Sequence, residues 1–194
     1  SEGFRRKGFE IISSVEVNSY ACETLKTRHA YWGYKKKRKD SIYWSYVKGD
    51  VKREEFLKDV SENTVINEEI SDKTIKSISE RIKKRMRDLN ISSIDVFIGG
   101  PPCQAYSLVG RARDPKRMDG DPRKELYKYY VKMLKTFAPK IFVFENVPGI
   151  LSADKGVLFN EVKKLFGKAG YVVEHRMLNS ADFMVLENRK RVIL

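Results

Sequence analysis

The chain alternates short apolar runs with longer stretches in which apolar residues recur every third or fourth position. Residues 9–16 are rich in β-branched and aromatic side chains and predict a strand. Asn18 or Ser19 can cap the helix predicted over residues 20–29. Ser71 and Asp72 open a clearer helix. Ile75, Ile78, Ile82, Met86 and Leu89 form its stripe, Lys76, Arg81, Lys83, Lys84 and Arg87 fill the remainder, and Asn90 stops it. Residues 94–98 are an almost wholly apolar strand, broken sharply by Gly99-Gly100-Pro101-Pro102. A helix over residues 124–138 carries Leu126, Tyr130, Leu134 and Phe137 on one stripe, and Pro139 ends it. Residues 141–144 form another buried-type strand, running into Glu145-Asn146. A helix over 157–168 closed by Gly170, a strand over 171–178 and a last strand from Arg191 complete the pattern. Alternating elements with continuous apolar strands predict an α/β fold of three layers around a mostly parallel sheet.

Two stretches resist this pattern. Residues 33–58 are rich in Lys, Tyr and Trp and open with Lys35-Lys36-Lys37-Arg38-Lys39; residues 108–123 are polar and basic, with Gly110, Pro115, Gly120 and Pro122. Both predict long loops or inserted subelements with a solvated surface. No internal repeat is visible.

Composition narrows the function. Thirty-nine Lys+Arg against 26 Asp+Glu leave a net charge of +13 over 194 residues, so the expected partner is an anion, nucleic acid before all others. No apolar run approaches the roughly 18 residues of a membrane span, and no basic amphipathic helix carries a Trp/Phe-rich face. The opening Ser1-Glu2-Gly3-Phe4-Arg5-Arg6 lacks an apolar stretch, so no signal peptide is expected and a cytoplasmic location is. Two cysteines, Cys22 and Cys103, cannot make a disulfide framework, and with His29 and His175 distant from both no metal spacing exists.

In open α/β sheets ligands bind beyond the carboxyl ends of the strands. Glu16 ends the first predicted strand, the Gly99–Gln104 turn ends the second and holds Cys103, and Glu145-Asn146 ends the third. Singly, each is also at home as an ordinary surface or core residue. Together they bring two carboxylates and one thiol to one edge of one predicted sheet. Glycines followed by prolines make a stiff turn that presents Cys103 in a set direction, where nearby cations or N–H groups would favour the thiolate. Cys22, beside Ala21 and Leu25 on a helix, is expected to be inert core. An apolar strand running into Glu145 is expected to raise the pKa of its carboxyl, which suits a general acid. Arg189 and Arg191, if extended, share a face and suit an anion or a carbonyl oxygen.

These residues resemble the cytosine-C5 DNA methyltransferases. Gly99-Gly100-Pro101-Pro102-Cys103-Gln104-Ala105-Tyr106-Ser107 is similar to their catalytic-loop motif, and Glu145-Asn146-Val147 to their Glu-Asn-Val motif. Asn188-Arg189-Lys190-Arg191-Val192, preceded by Leu178-Asn179-Ser180-Ala181-Asp182-Phe183, is similar to their Arg-x-Arg motif. The run from Gly8-Phe9 to Glu16-Val17 is similar to their cofactor-ribose motif.

The resemblance implies a Rossmann-like S-adenosylmethionine-dependent fold. It also implies methyl transfer from S-adenosylmethionine to carbon 5 of cytosine in double-stranded DNA. Cys103 would add to carbon 6 of a flipped-out base, Glu145 would hold or donate a proton at N3, Arg191 would contact the base near O2, and Arg189 would lie by the cysteine loop. Gln104, Ser107 and Asn146 would belong to the nucleic-acid side. Glu16 would bind the cofactor ribose, Val17 would pack on adenine, and Glu69-Ile70 would stand near the adenine amine, with Pro101 and Leu126 lining the same pocket.

Departures from the family pattern set further expectations. The glycine-rich first motif is absent, and Ser1-Glu2-Gly3-Phe4 is similar to the residues just after it. The C-terminal motifs and the target-recognition domain are also absent. The resemblance therefore implies a partial catalytic domain over residues 1–194, completed by further segments or by a second chain. It carries a basic insertion over about 33–58 and a mobile catalytic loop over about 104–123. Where the family commonly has Pro-Gln, Leu186-Glu187 stands here. Two alternatives stay open: a transfer-RNA cytosine-C5 methyltransferase, and a nucleic-acid-binding module without catalysis. Ala105-Tyr106-Ser107, rather than Pro and Thr, favours DNA over transfer RNA, and the intact Cys103, Glu145, Asn146, Arg189 and Arg191 favour an enzyme. A restriction–modification setting in a prokaryotic cell, near the nucleoid, is the usual one for the family.

Overall fold

The computed structural model describes residues 2–101 and 126–194. The expected loop over 104–123, and with it Cys103, Gln104 and Ser107, lies outside the described residues. The chain divides into two compact units, Ser1–Ser92 and Ser93–Leu194. The fold class is α/β in both.

The first unit opens with a short helix, α1 (Glu2–Arg6), absent from the sequence reading, and reaches β1 (Ser14–Glu16). This strand covers only the end of the stretch predicted. Its partner β2 (Val65–Asn67) was not anticipated; the two pair in parallel, with Ser14 opposite Val65 and Glu16 opposite Asn67. Helix α2 (Ser19–Lys36) begins where expected, because the Asn18 side chain accepts a hydrogen bond from the Ala21 amide at 3.0 Å. It runs well past His29, since no proline interrupts it and Gly33 is tolerated near its end.

The stretch over residues 33–58, expected as a loop or an inserted subelement, is largely helical. Helices α3 (Ser41–Lys48) and α4 (Arg53–Leu57) follow α2, and Gly49, at φ +89°, closes α3. Ile42, Tyr43 and Tyr46 lie at helical spacing, and they pack with Tyr34 around the fully buried Phe56. The Tyr46 ring stacks on Phe56 with centroids 4.4 Å apart. Arg53 ties α4 back to α2 through Glu23 at 2.6 Å and the Thr27 hydroxyl at 3.1 Å. The cations drew attention to solvent, whereas the aromatic residues among them build a core. Helix α5 (Ile75–Asp88) buries Ile78 and Ile82, as its stripe predicts.

The second unit contains a four-stranded sheet in the order β3 (Val96–Gly99), β4 (Ile141–Asn146), β6 (Lys190–Ile193), β5 (Arg176–Asn179). Helices α6 (Leu126–Phe137) and α7 (Val157–Lys168) bury Tyr130, Leu134, Val162 and Phe166 against Phe142, Phe144, Val192 and Leu194. Strands β3 and β4 are parallel; β4 with β6 and β5 with β6 are antiparallel. The described ladders therefore divide evenly between the two directions, where continuous apolar strands predict a mostly parallel sheet. The reason lies in the connection. Residues 180–189 between β5 and β6 hold one 3-10 turn, too short for the crossover that parallel neighbours need.

A single sheet edge is likewise not what the hydrogen bonds form. Among the described residues Glu16 belongs to the β1–β2 ladder, and Glu145 to the other sheet.

Candidate active site

In the second unit, burial alternates along β4. Phe142, Phe144 and Asn146 face the core, which leaves Val143 and Glu145 on the opposite face. Glu145 stands across from Ile193, so Arg191 lies diagonally across on the same face. The Arg191 Nε donates to Glu145 Oε1 at 2.7 Å, and Nη1 donates to the Lys190 carbonyl at the same distance. The guanidinium is thus held at two points. The Glu145 side chain keeps 39% of its surface exposed. Among the described residues it meets the Arg191 guanidinium and the Gly100 backbone rather than an apolar enclosure.

The turn after β3 lies against this carboxylate. A Cβ placed on Gly100 would stand 2.7 Å from Glu145 Oε2 and 3.3 Å from its carbonyl oxygen. A Cβ on Gly99 would stand 2.5 Å from the Tyr130 ring. That ring is fixed in turn: its hydroxyl lies 3.1 Å from the carbonyl oxygens of both Phe97 and Val143, bracing β3 to β4 from α6. Burial pushes the Tyr130 phenol far above its ordinary pKa, so it remains a donor. The two glycines therefore let the backbone close on the Tyr130 ring and on Glu145, and Pro101 follows half-buried.

Asn146 is 1% exposed; its Oδ1 accepts from the Val147 amide at 2.9 Å, and its buried Nδ2 has no partner among the described residues. A side chain this enclosed supports the turn out of β4. Arg189 and Arg191 take different carboxylate partners. Arg189 reaches the Glu187 carboxylate at 3.9 Å, while Arg191 takes Glu145. Leu126 stands half-buried at the first position of α6.

In the first unit, four residues expected at a cofactor follow or end two paired strands at their carboxyl ends. Glu16 ends β1 with Val17 beyond it, and Glu69-Ile70 follow β2. Glu16 Oε1 accepts from the Asn18 amide at 2.9 Å; its other oxygen has no partner among the described residues. Val17 is 63% exposed. Asn67, which sequence reasoning missed, laces the edge together by donating through Nδ2 to the carbonyls of Glu16 and Val17, at 3.0 and 2.9 Å. Its signal was its place at the end of β2, a strand itself unrecognised. Cys22 is core, as expected: it is 1% exposed, and burial raises its thiol pKa. No group of three or more metal-ligating side chains occurs among the described residues. No helix among them is long and apolar enough to cross a membrane.

A family model for C-5 cytosine-specific DNA methylase matches residues 58–194. The Type II methyltransferase M.Bpa9945I of Bacillus paralicheniformis is 37% identical across the whole chain, which covers 50% of that protein. The Type II methyltransferase M.FnuDI of Fusobacterium nucleatum is 38% identical over 98% of the chain, covering 41% of its own length. The chain thus spans about half the length of the curated relatives it matches, or less. The crystal structure of an E. coli prophage protein, described as a DNA modification methyltransferase, aligns over the whole chain and 41% of its own. Its TM-score is 0.58 at 22% identity, a likeness of fold. The matched segment carries the Gly-Gly-Pro-Pro turn, Glu145 and Arg191 on the elements described above, and the chain belongs to the C-5 cytosine-specific DNA methylase family.

Proposed function

We propose that the protein containing this chain transfers a methyl group from S-adenosylmethionine to carbon 5 of cytosine in double-stranded DNA. The observation that carries this reading is the contact of the Gly99-Gly100 turn with Glu145, itself held by Arg191. It ties the strand end that leads into Cys103 to a carboxylate and a guanidinium, the two groups needed around a cytosine ring. Type II methyltransferase relatives support the same substrate and a restriction–modification setting in the prokaryotic cytoplasm.

S-adenosylmethionine, when bound, supplies the methyl group. The first-unit edge fits its nucleoside part: Glu16 offers a carboxylate oxygen for ribose hydroxyls, the exposed Val17 an apolar face for adenine, and Glu69-Ile70 flank it. For Pro101 and Leu126 the proposed cofactor role rests on the family resemblance alone. In the base pocket, the Cys103 thiolate forms a bond to carbon 6 of the flipped-out cytosine. Glu145 holds a proton at N3, so the electron pair moves to carbon 5. After carbon 5 is methylated, a base removes its proton and the Cys103–carbon 6 bond breaks. Arg191 contacts O2 and keeps Glu145 oriented, and Arg189 stands beside the cysteine loop. Gln104 and Ser107 close on the DNA from that loop, and the insertion over 33–58 adds phosphate contacts. The sheet would take the family's Rossmann-like, three-layer form once segments outside this chain, or a second chain, supply the glycine-rich first motif. Sequence recognition would come from a further domain.

The test is label transfer from radiolabelled S-adenosylmethionine to mixed DNA and, separately, to total transfer RNA, using the whole protein. Label should enter DNA and vanish with Cys103→Ala while DNA binding persists, because phosphate contacts dominate affinity. Glu145→Gln should slow transfer at least a hundredfold. Label in transfer RNA alone would move the reading to RNA, and no label at all would leave a binding module.

A further inference from the structure

The strand motif that carries Arg189 and Arg191 is reached through a turn whose apolar side chains hold nothing in place. Met184 is 97% exposed and Leu186 106%, while Phe183 and Val185 are also open to solvent. Packing does not fix this turn among the described residues. Hydrogen bonds do, and they converge on Ser180.

Ser180 follows β5 directly. Its amide donates to the Arg189 carbonyl at 3.0 Å, which extends the β5–β6 ladder one step past the Asn179–Lys190 pair. Its carbonyl accepts from the Val185 amide at 3.3 Å. Its hydroxyl donates to the Glu187 carbonyl and accepts from the Arg189 amide at 3.1 Å. One side chain therefore spans the neck of the turn and sets the backbone of Glu187 and Arg189 from both sides. Met184, at φ +60°, lets the chain double back to meet it. The direction in which Arg189 leaves the backbone, and the register that puts Arg191 diagonally across from Glu145, both begin at this neck.

We propose that Ser180 is a positioning residue for the Arg189–Arg191 motif, its hydroxyl setting the turn that aims the two guanidiniums. The inference rests on the methyl-transfer reading above. The hydroxyl donates to a carbonyl and accepts from an amide at once, which alanine cannot do, and so reinforces the 3.1 Å bond that the Arg189 amide also donates to the Glu187 carbonyl.

The experiment compares the wild-type whole protein with Ser180→Ala and Ser180→Thr. Amide hydrogen exchange should quicken about tenfold or more at Arg189 in Ser180→Ala and remain unchanged at Val192. The kcat of methyl transfer should fall about three- to tenfold with the KM for S-adenosylmethionine unchanged, and Ser180→Thr should recover most of both. Unaltered kcat in Ser180→Ala would overturn the proposal. So would a change confined to KM, or a loss that Ser180→Thr does not rescue. A wild-type protein that transfers no label overturns the reading on which the proposal rests, and with it the proposal, before any variant is made.

Discussion

Gly99 and Gly100 are adjacent, yet each is a glycine for a different reason. At Gly99 the obstacle is the Tyr130 ring, 2.5 Å from an added Cβ and held by two backbone carbonyls, so it cannot yield. At Gly100 the nearest obstacle is the end of the Glu145 side chain, which can move at the expense of its bond to Arg191. The two substitutions should therefore separate. Gly99→Ala should lower stability by about 1–3 kcal/mol through overpacking, read by urea unfolding. Gly100→Ala should leave the unfolding midpoint nearly unchanged while reducing methyl transfer about tenfold. Equal losses of stability from the two would show that the Glu145 carboxylate is as fixed as the ring. Glu145 was found in the sequence because it ends an apolar strand. Its surroundings were not, since Arg191 reaches it only through antiparallel β6, and sequence spacing carries no information about which strand becomes a neighbour.

At the scale of elements, the insertion over 33–58 is the clearest lesson. Its lysines are exposed, and they dominate the composition; its core is Phe56 under Tyr34 and Tyr46. Phe56→Ala should cost about 3–5 kcal/mol and unfold α3 and α4. Helical content by circular dichroism should drop before any effect on the second unit, and a loss below 1 kcal/mol would mean these helices are held by something other than this ring. Strands Ile141–Asn146 and Val96–Gly99 and helix Val157–Lys168 were legible because their apolar patterns are unbroken. Strand Val65–Asn67 was not: three residues between polar neighbours carry no period, and only pairing with Ser14–Glu16 makes them a strand. Asn18 was legible as a cap because a cap is a local interaction. The Asn67 and Ser180 bridges were not, because each acts across a gap in sequence that only the fold closes.

Over the molecule as a whole, the excess of positive charge hides acid-sensitive points in the first unit. Burial, with Arg5 and Arg85 nearby, pushes the His29 pKa down to about 3, and Arg5 donates to its Nδ1 at 2.6 Å. An unfolded histidine titrates near 6.5. The folded pKa is the lower one, so the unfolded chain binds the extra proton. The His29 contribution is complete above about pH 6.5 and is lost as pH falls towards 3. Glu2, held down to about 2 chiefly by its hydrogen bonds with Arg28, loses its contribution lower, as pH falls from about 4.5. Urea unfolding at pH 8, 6 and 5 should show stability declining across this range, and His29→Gln should flatten the decline. An unchanged slope would remove His29 as its source. Tyr130 lies far from Gly99 in sequence, yet the space occupied by its ring is the space a side chain at 99 would need. Neither position can drift alone over evolutionary time: a larger residue at 99 is admitted only after the ring at 130 shrinks, and shrinking the ring first unties β3 from β4. The pair is epistatic, and in a library randomised at both sites viable sequences should be found near the present combination, with few single-step routes away from it.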